Sequence, residues 1–176
     1  MMIEVEIRSL ISDREHGRLL SFFRDNARFV KSETQETLYL DTEADLRIQR
    51  TDSDSKIWMK KGAFHDEARE EIKVRFHRED FEGMVAVFLA AGIGTSVKWM
   101  RERHIFDWKG VTVCIDDTKG YGKVIELEVI CDEGTKEIEI ARLKRAMGEI
   151  GIKPTPREEF DRMLQRYKSE WRSLGI

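Results

Sequence analysis

Residues 3–9 read Ile-Glu-Val-Glu-Ile-Arg-Ser, and their strict alternation decides how the rest of the chain is read. Ile3, Val5 and Ile7 fall on one side of an extended backbone and Glu4, Glu6 and Arg8 on the other, the period of two that a β-strand imposes. The apolar side must be buried. The charged side meets either bulk solvent or a ligand that needs carboxylates beside a cation.

Later strands decide between these. In 46–50, Leu46 and Ile48 oppose Arg47 and Gln49. In 69–76, Ile72, Val74 and Phe76 oppose Arg69, Glu71, Lys73 and Arg75. In 111–116, Val111, Val113 and Ile115 oppose Thr112, Cys114 and Asp116, and in 123–130, Ile125, Leu127 and Val129 oppose Glu126 and Glu128. Arg101 and Arg103 share a face in 97–106. One such strand is an ordinary solvent face of an antiparallel sheet. Six with the same sense imply that, if the sheet closes, apolar faces pack on helices and charged faces line an interior. An interior with both signs suits a polyanion held by Arg and Lys and by a divalent cation on carboxylates.

The remaining pattern supplies the other elements. Ser12 with Glu15 three residues on forms a capping box that opens a helix over 12–30, whose apolar face is Leu19, Leu20, Phe22 and Phe23. Strands are expected at 3–9, 37–41, 46–50, 56–61, 69–76, 97–106, 111–116 and 123–130. Further helices are expected at 79–93, at 136–152 and, after Pro154 and Pro156, at 157–174. Short turns between successive strands favour antiparallel pairing, hence an α+β chain. At 56–61, alternation sends Ile57 and Met59 to the core and places Trp58 and Lys60 on the charged side.

Composition narrows the classes. Of 176 residues, 37% are charged and 40% apolar, enough for one domain over 1–176 with its own core. Thirty-one basic and 34 acidic residues give a net charge of −3, which argues against nucleic-acid binding as the main task. No stretch approaches a membrane span, and Cys114 and Cys131 lack a CxxC partner, so reduced thiols and a cytoplasmic location are expected. His16, His65, His77 and His104 form no metal-ligand spacing. Cys114 lacks a histidine partner and reads as a small filler beside Asp116.

In this order the motifs resemble the CYTH domain, the triphosphate tunnel metalloenzyme family. Glu4-Val5-Glu6-Ile7-Arg8 is similar to its ExExK strand with Arg for Lys, Tyr39-Leu40-Asp41-Thr42 to its YxDT, and Leu46-Arg47-Ile48 to its LRxR. Lys61-Gly62 resembles its K-G, Arg69-Glu70-Glu71 its RxE, and Arg101-Glu102-Arg103 its basic pair. Asp116 matches its strand-end Asp, and Gly120 to Glu128 its glycine-led ExE strand. The chain departs from the family at Arg8, at Gln49 (the second Arg of LRxR), at Lys73 and at Thr155-Pro156-Arg157.

The resemblance implies a closed eight-stranded antiparallel barrel forming a tunnel with flanking helices. It also implies hydrolysis of tripolyphosphate, thiamine triphosphate or a nucleoside triphosphate with Mg²⁺ or Mn²⁺. Class IV-type cyclisation of ATP and a non-catalytic phosphate-binding module are the alternatives. By position, Glu4, Glu6, Asp116, Glu126 and Glu128 are the metal-side and catalytic candidates. Arg8, Arg47, Arg69, Lys73, Arg101 and Arg103 are the phosphate-side candidates, with Lys60 (favoured by parity) or Lys61 (favoured by the K-G match) beside them. The expected partner is a small triphosphate, without DNA or a membrane; a homodimer stays open.

Overall fold

The computed structural model describes residues 3–62 and 66–176. His65 therefore lies outside the described residues. Eight strands are present: β1 Ile3–Ile11, β2 Arg28–Leu40, β3 Asp45–Arg50, β4 Ser55–Lys60, β5 Ala68–Phe76, β6 Thr95–Trp108, β7 Val111–Thr118 and β8 Gly122–Cys131. Four α-helices accompany them: α1 Asp13–Asn26, α2 Phe81–Ala90, α3 Lys136–Glu149 and α4 Arg157–Glu170. No helix among the described residues is long and apolar enough to cross a membrane.

Every strand pairs antiparallel with both neighbours, and the order β1-β5-β4-β3-β2-β6-β7-β8 closes on itself, so the α+β chain forms a ring without a free edge. The outer faces are apolar. Val5, Ile7, Val113, Ile115, Ile125 and Leu127 pack against Leu19 and Phe23 of α1 and Leu143 and Met147 of α3, all buried. Leu38, Leu40 and Ile48 pack under Phe81 at the start of α2. Near one end, Phe160 and Tyr167 of α4 cluster with Val97, Tyr121 and Val124. The Tyr167 hydroxyl donates to the Lys98 carbonyl at 2.9 Å, which pins α4 to β6. The turn between β7 and β8 requires Gly120, whose φ is +75° and whose missing Cβ would overlap the Leu174 side chain.

The first helix differs from its expected span. The capping box at Ser12 and Glu15 is present, but α1 stops at Asn26, and Arg28, Phe29 and Val30 belong to β2. β2 is paired with β6 from Arg28↔Asp107 to Leu40↔Thr95, interrupted at two register shifts. That long ladder outweighs the helical spacing of Phe22, Phe23 and Phe29. The last expected helix ends at Glu170 and is followed by a 3₁₀ turn over Trp171–Leu174.

Candidate functional site

The inward side chains of all eight strands line a cavity of about 250 Å³. Glu4, Glu6, Arg8, Arg47, Lys60, Arg69, Lys73, Arg101, Arg103, Asp116, Glu126 and Glu128 all stand on its wall. Lys61 does not, which corrects the K-G alternative. It follows the last residue of β4, its side chain is half-exposed, and its ammonium pairs with Glu70 at 3.1 Å. One step along the chain reverses the face, so Lys60 points in and Lys61 out.

The wall is segregated by charge. Closure of the ring sets β1 beside β8, with Glu6 opposite Glu128 and Arg8 opposite Glu126, and sets β7 beside β8, with Cys114 opposite Glu126. The carboxylates of Glu4, Glu6, Glu126 and Glu128 thereby gather on two adjacent strands. Burial among Glu4, Glu126 and Glu6 pushes the Glu128 carboxyl up to about 8. Glu6 goes the other way: Arg8, Lys60 and Arg103 outweigh its burial and hold it well below the usual range. Lys60 donates to Glu4 and, at 3.3 Å, to Glu6. Arg8 Nε lies 3.1 Å from Glu6 Oε1, while its guanidinium sits 5.4 Å from the centre of the Phe160 ring.

Apart from Arg8, the cations stand on the other strands. Asp116, 1% exposed, accepts from Arg103 Nε at 2.7 Å, Arg103 Nη2 at 2.6 Å and Arg101 Nη1 at 2.8 Å. Arg103 also donates to Glu126, and Arg101 Nε donates to Gln35 Oε1 at 2.7 Å. These carboxylates hold the buried Arg103 guanidinium firmly protonated. Both oxygens of Asp116 are thus engaged by guanidinium groups. Arg47 makes a forked pair with Asp45 at 2.7 Å through Nε and Nη2, and Arg69 donates to the same carboxylate at 2.7 Å. Lys73 pairs with Glu71 at 2.5 Å.

Several wall residues were not among the expected set. Trp58, Glu71 and Arg75 stand on the charged side that alternation gives them, and Lys56 shares the inward parity of Lys60, so alternation alone could have named it as well. Lys31, Glu33 and Gln35 were hidden because residues 28–36 of β2 lie outside the strand expected at 37–41. Tyr39, Trp99, Tyr121, Phe160 and Leu164 also stand on the wall, the last two from α4.

The donors suit a hard divalent cation. Ligand atoms of Cys114, Glu126 and Glu128 lie within 4.8 Å of one another. Burial keeps the Cys114 thiol protonated, so the carboxylate oxygens of Glu126 and Glu128, with Glu4 and Glu6 on the neighbouring strand, are the atoms that could hold such a cation. Oxygen donors of this kind suit Mg²⁺ or Mn²⁺ rather than a thiophilic metal. Glu128 holds its proton first because it is buried and then because Glu4, Glu126 and Glu6 lie near it, with Arg103 opposing.

Known proteins resemble this chain in sequence and fold. A Methanocaldococcus jannaschii protein, provisionally named adenylate cyclase MJ0240, is 31% identical over 141 residues, 72% of this chain and 77% of its own. A conserved Pyrococcus furiosus protein superposes with a TM-score of 0.70 at 26% identity, covering 85% of this chain and 91% of that one. The fold is also that of the Hippeastrum protein HpAC1, provisionally named an adenylyl cyclase and described as having a dominant triphosphatase activity. There the TM-score is 0.67 at 19% identity, over 94% of this chain and 96% of the other. The family model of the CYTH domain matches residues 2–164, nearly the whole chain, and the protein belongs to the CYTH family.

Proposed function

We propose that the chain hydrolyses a small triphosphate within the ring, with Mg²⁺ or Mn²⁺ bound on the β1–β8 carboxylates. One observation carries the reading: Glu4, Glu6, Glu126 and Glu128 share a cavity with Arg47, Lys73, Arg101 and Arg103. A bound divalent cation would neutralise phosphate charge and lower the pKa of a coordinated water. The chain's own part is electrostatic. Arg8, Arg47, Lys60, Arg69, Lys73, Arg101 and Arg103 hold phosphoryl oxygens in line and stabilise charge on the transferred group. The attacking water forms the new P–O bond and passes its proton to one of the carboxylates. The anhydride P–O bond breaks, and the leaving phosphate takes the electron pair.

The name of the M. jannaschii relative favours a second reading, ATP cyclisation, in which the ribose hydroxyl replaces water as the nucleophile. A phosphate-binding module without turnover is the third. Purified protein incubated with tripolyphosphate, thiamine triphosphate or ATP, with and without Mg²⁺ or Mn²⁺, separates them. Metal-dependent phosphate release is expected. Cyclic AMP with pyrophosphate supports the second reading, and binding without product supports the third. Glu6→Gln is expected to lose turnover, and equal activity in that variant would sink the metal-side assignment.

A further inference from the structure

Gln49 and Lys56 stand directly opposite each other on β3 and β4, both on the cavity wall. Gln49 occupies the place where the LRxR pattern has its second arginine. Its side chain is buried (1% exposed), with Nε2 donating to Thr37 Oγ1 at 2.7 Å and to Gln35 Oε1 at 3.3 Å. Through Gln35 the amide joins the network that positions Arg101. Its own Oε1 has no hydrogen-bond partner among the described residues, which is uncommon for a buried amide.

Lys56 is the complement of that oxygen. Arg8, Arg47, Lys60, Arg69, Lys73, Arg75, Arg101 and Arg103 on the same wall each pair with a carboxylate. No carboxylate is paired with Lys56 among the described residues. Its ammonium lies 4.5 Å over the Trp58 ring. Burial lowers its pKa to about 8, with repulsion from Lys73, Arg103 and Arg101 adding to it and Glu71 opposing. A half-buried ammonium without a counter-ion is costly, and an anion in the cavity removes the cost.

We infer that the Lys56–Gln49 pair is the phosphoryl-binding position that replaces the second LRxR arginine in this chain, the cation having moved one strand across the β3–β4 ladder. The ammonium donates to phosphoryl oxygens, and a protonated phosphoryl oxygen or its water satisfies Gln49 Oε1. Arginine at position 49 would place a guanidinium beside Lys56 and Arg101, so the two arrangements exclude each other. This inference rests on the polyanion reading of the cavity.

The test is calorimetric titration with inorganic tripolyphosphate in magnesium-free buffer, where no turnover competes. Lys56→Met is expected to weaken binding about ten- to a hundred-fold, the value of one charge-assisted contact. Gln49→Arg in the Lys56→Met background is expected to restore at least half of that loss on a logarithmic scale, whereas Gln49→Arg alone gains nothing. Lys56→Gln is read in parallel in case the Met variant does not fold. Unchanged binding in a folded Lys56 variant overturns the inference while leaving the polyanion reading intact. A double variant that stays weak overturns the exchange between the two positions. A wild type that binds no tripolyphosphate, with or without magnesium, removes both.

Discussion

Asp116→Asn tests how the cavity holds its charges. Asp116 accepts three hydrogen bonds from two guanidinium groups, at 2.6, 2.7 and 2.8 Å, and is 1% exposed. Asparagine has the same shape, but its amide N–H must face a guanidinium N–H, and the negative charge between Arg101 and Arg103 is gone. Arg103 keeps Glu126; among the described residues, Arg101 keeps only Gln35. Removing one partner of a buried ion pair costs about 3–5 kcal/mol, and the surviving contact of Arg103 favours the lower end. For a chain of this length each kcal/mol is worth about 2–4 °C, so the melting temperature should fall by about 6–12 °C at neutral pH. The two released guanidinium groups then bind a polyanion more readily. Saturating tripolyphosphate should therefore raise the melting temperature of the variant more than that of the wild type. A ligand-free variant melting within about 2 °C of the wild type would refute the account, because it would mean that Asp116 does not balance these charges.

Other consequences are as direct. The pKa of Lys56 falls from 10.5 to about 8 on folding, so the unfolded chain holds a proton that the folded one lacks between those values. The cost of burying it, up to about 3 kcal/mol, is complete below pH 8 and gone by about pH 10.5. Lys56→Met should melt higher than the wild type at pH 7, and a gap that does not close by pH 10.5 would contradict this. Glu128, raised to about 8, contributes stability that is full below the ordinary carboxylate range and lost as pH rises through 8. Glu128→Gln should flatten the fall in melting temperature of metal-free protein between pH 5 and 8. By the same linkage, Mg²⁺ binding at pH 7 should release about one proton, measurable from buffer-dependent titration heats. Phe160→Ala removes a buried ring between α4 and Arg8 and should cost about 3 kcal/mol, seen as a lower denaturation midpoint.

The comparison of sequence with structure turns on particular residues. Parity at Glu4, Glu6 and Arg8 identified the inward face because the backbone itself alternates side chains, whatever lies beside the strand. The same rule separated Lys60 from Lys61 and would have found Lys56. It did not reach Glu33 and Gln35, since Phe22, Phe23 and Phe29 carry a helical spacing through a segment that is half strand. Only the ladder with β6, more than 60 residues away in sequence, draws residues 28–36 into the sheet.

What the sequence by itself determined was therefore one-dimensional: which residues alternate, which side is charged, and the order of motifs that resembles the CYTH family. The tertiary structure decided which charges meet. Glu6 faces Glu128 because β1 closes the ring against β8, and that closure is driven by burying Val5, Ile7, Ile125 and Leu127 beneath α1 and α3. Strand alternation is a property of one segment of backbone, whereas pairing is settled by apolar burial between segments far apart in the chain. That burial, acting on the outer face, determines which carboxylates meet which cations inside the ring.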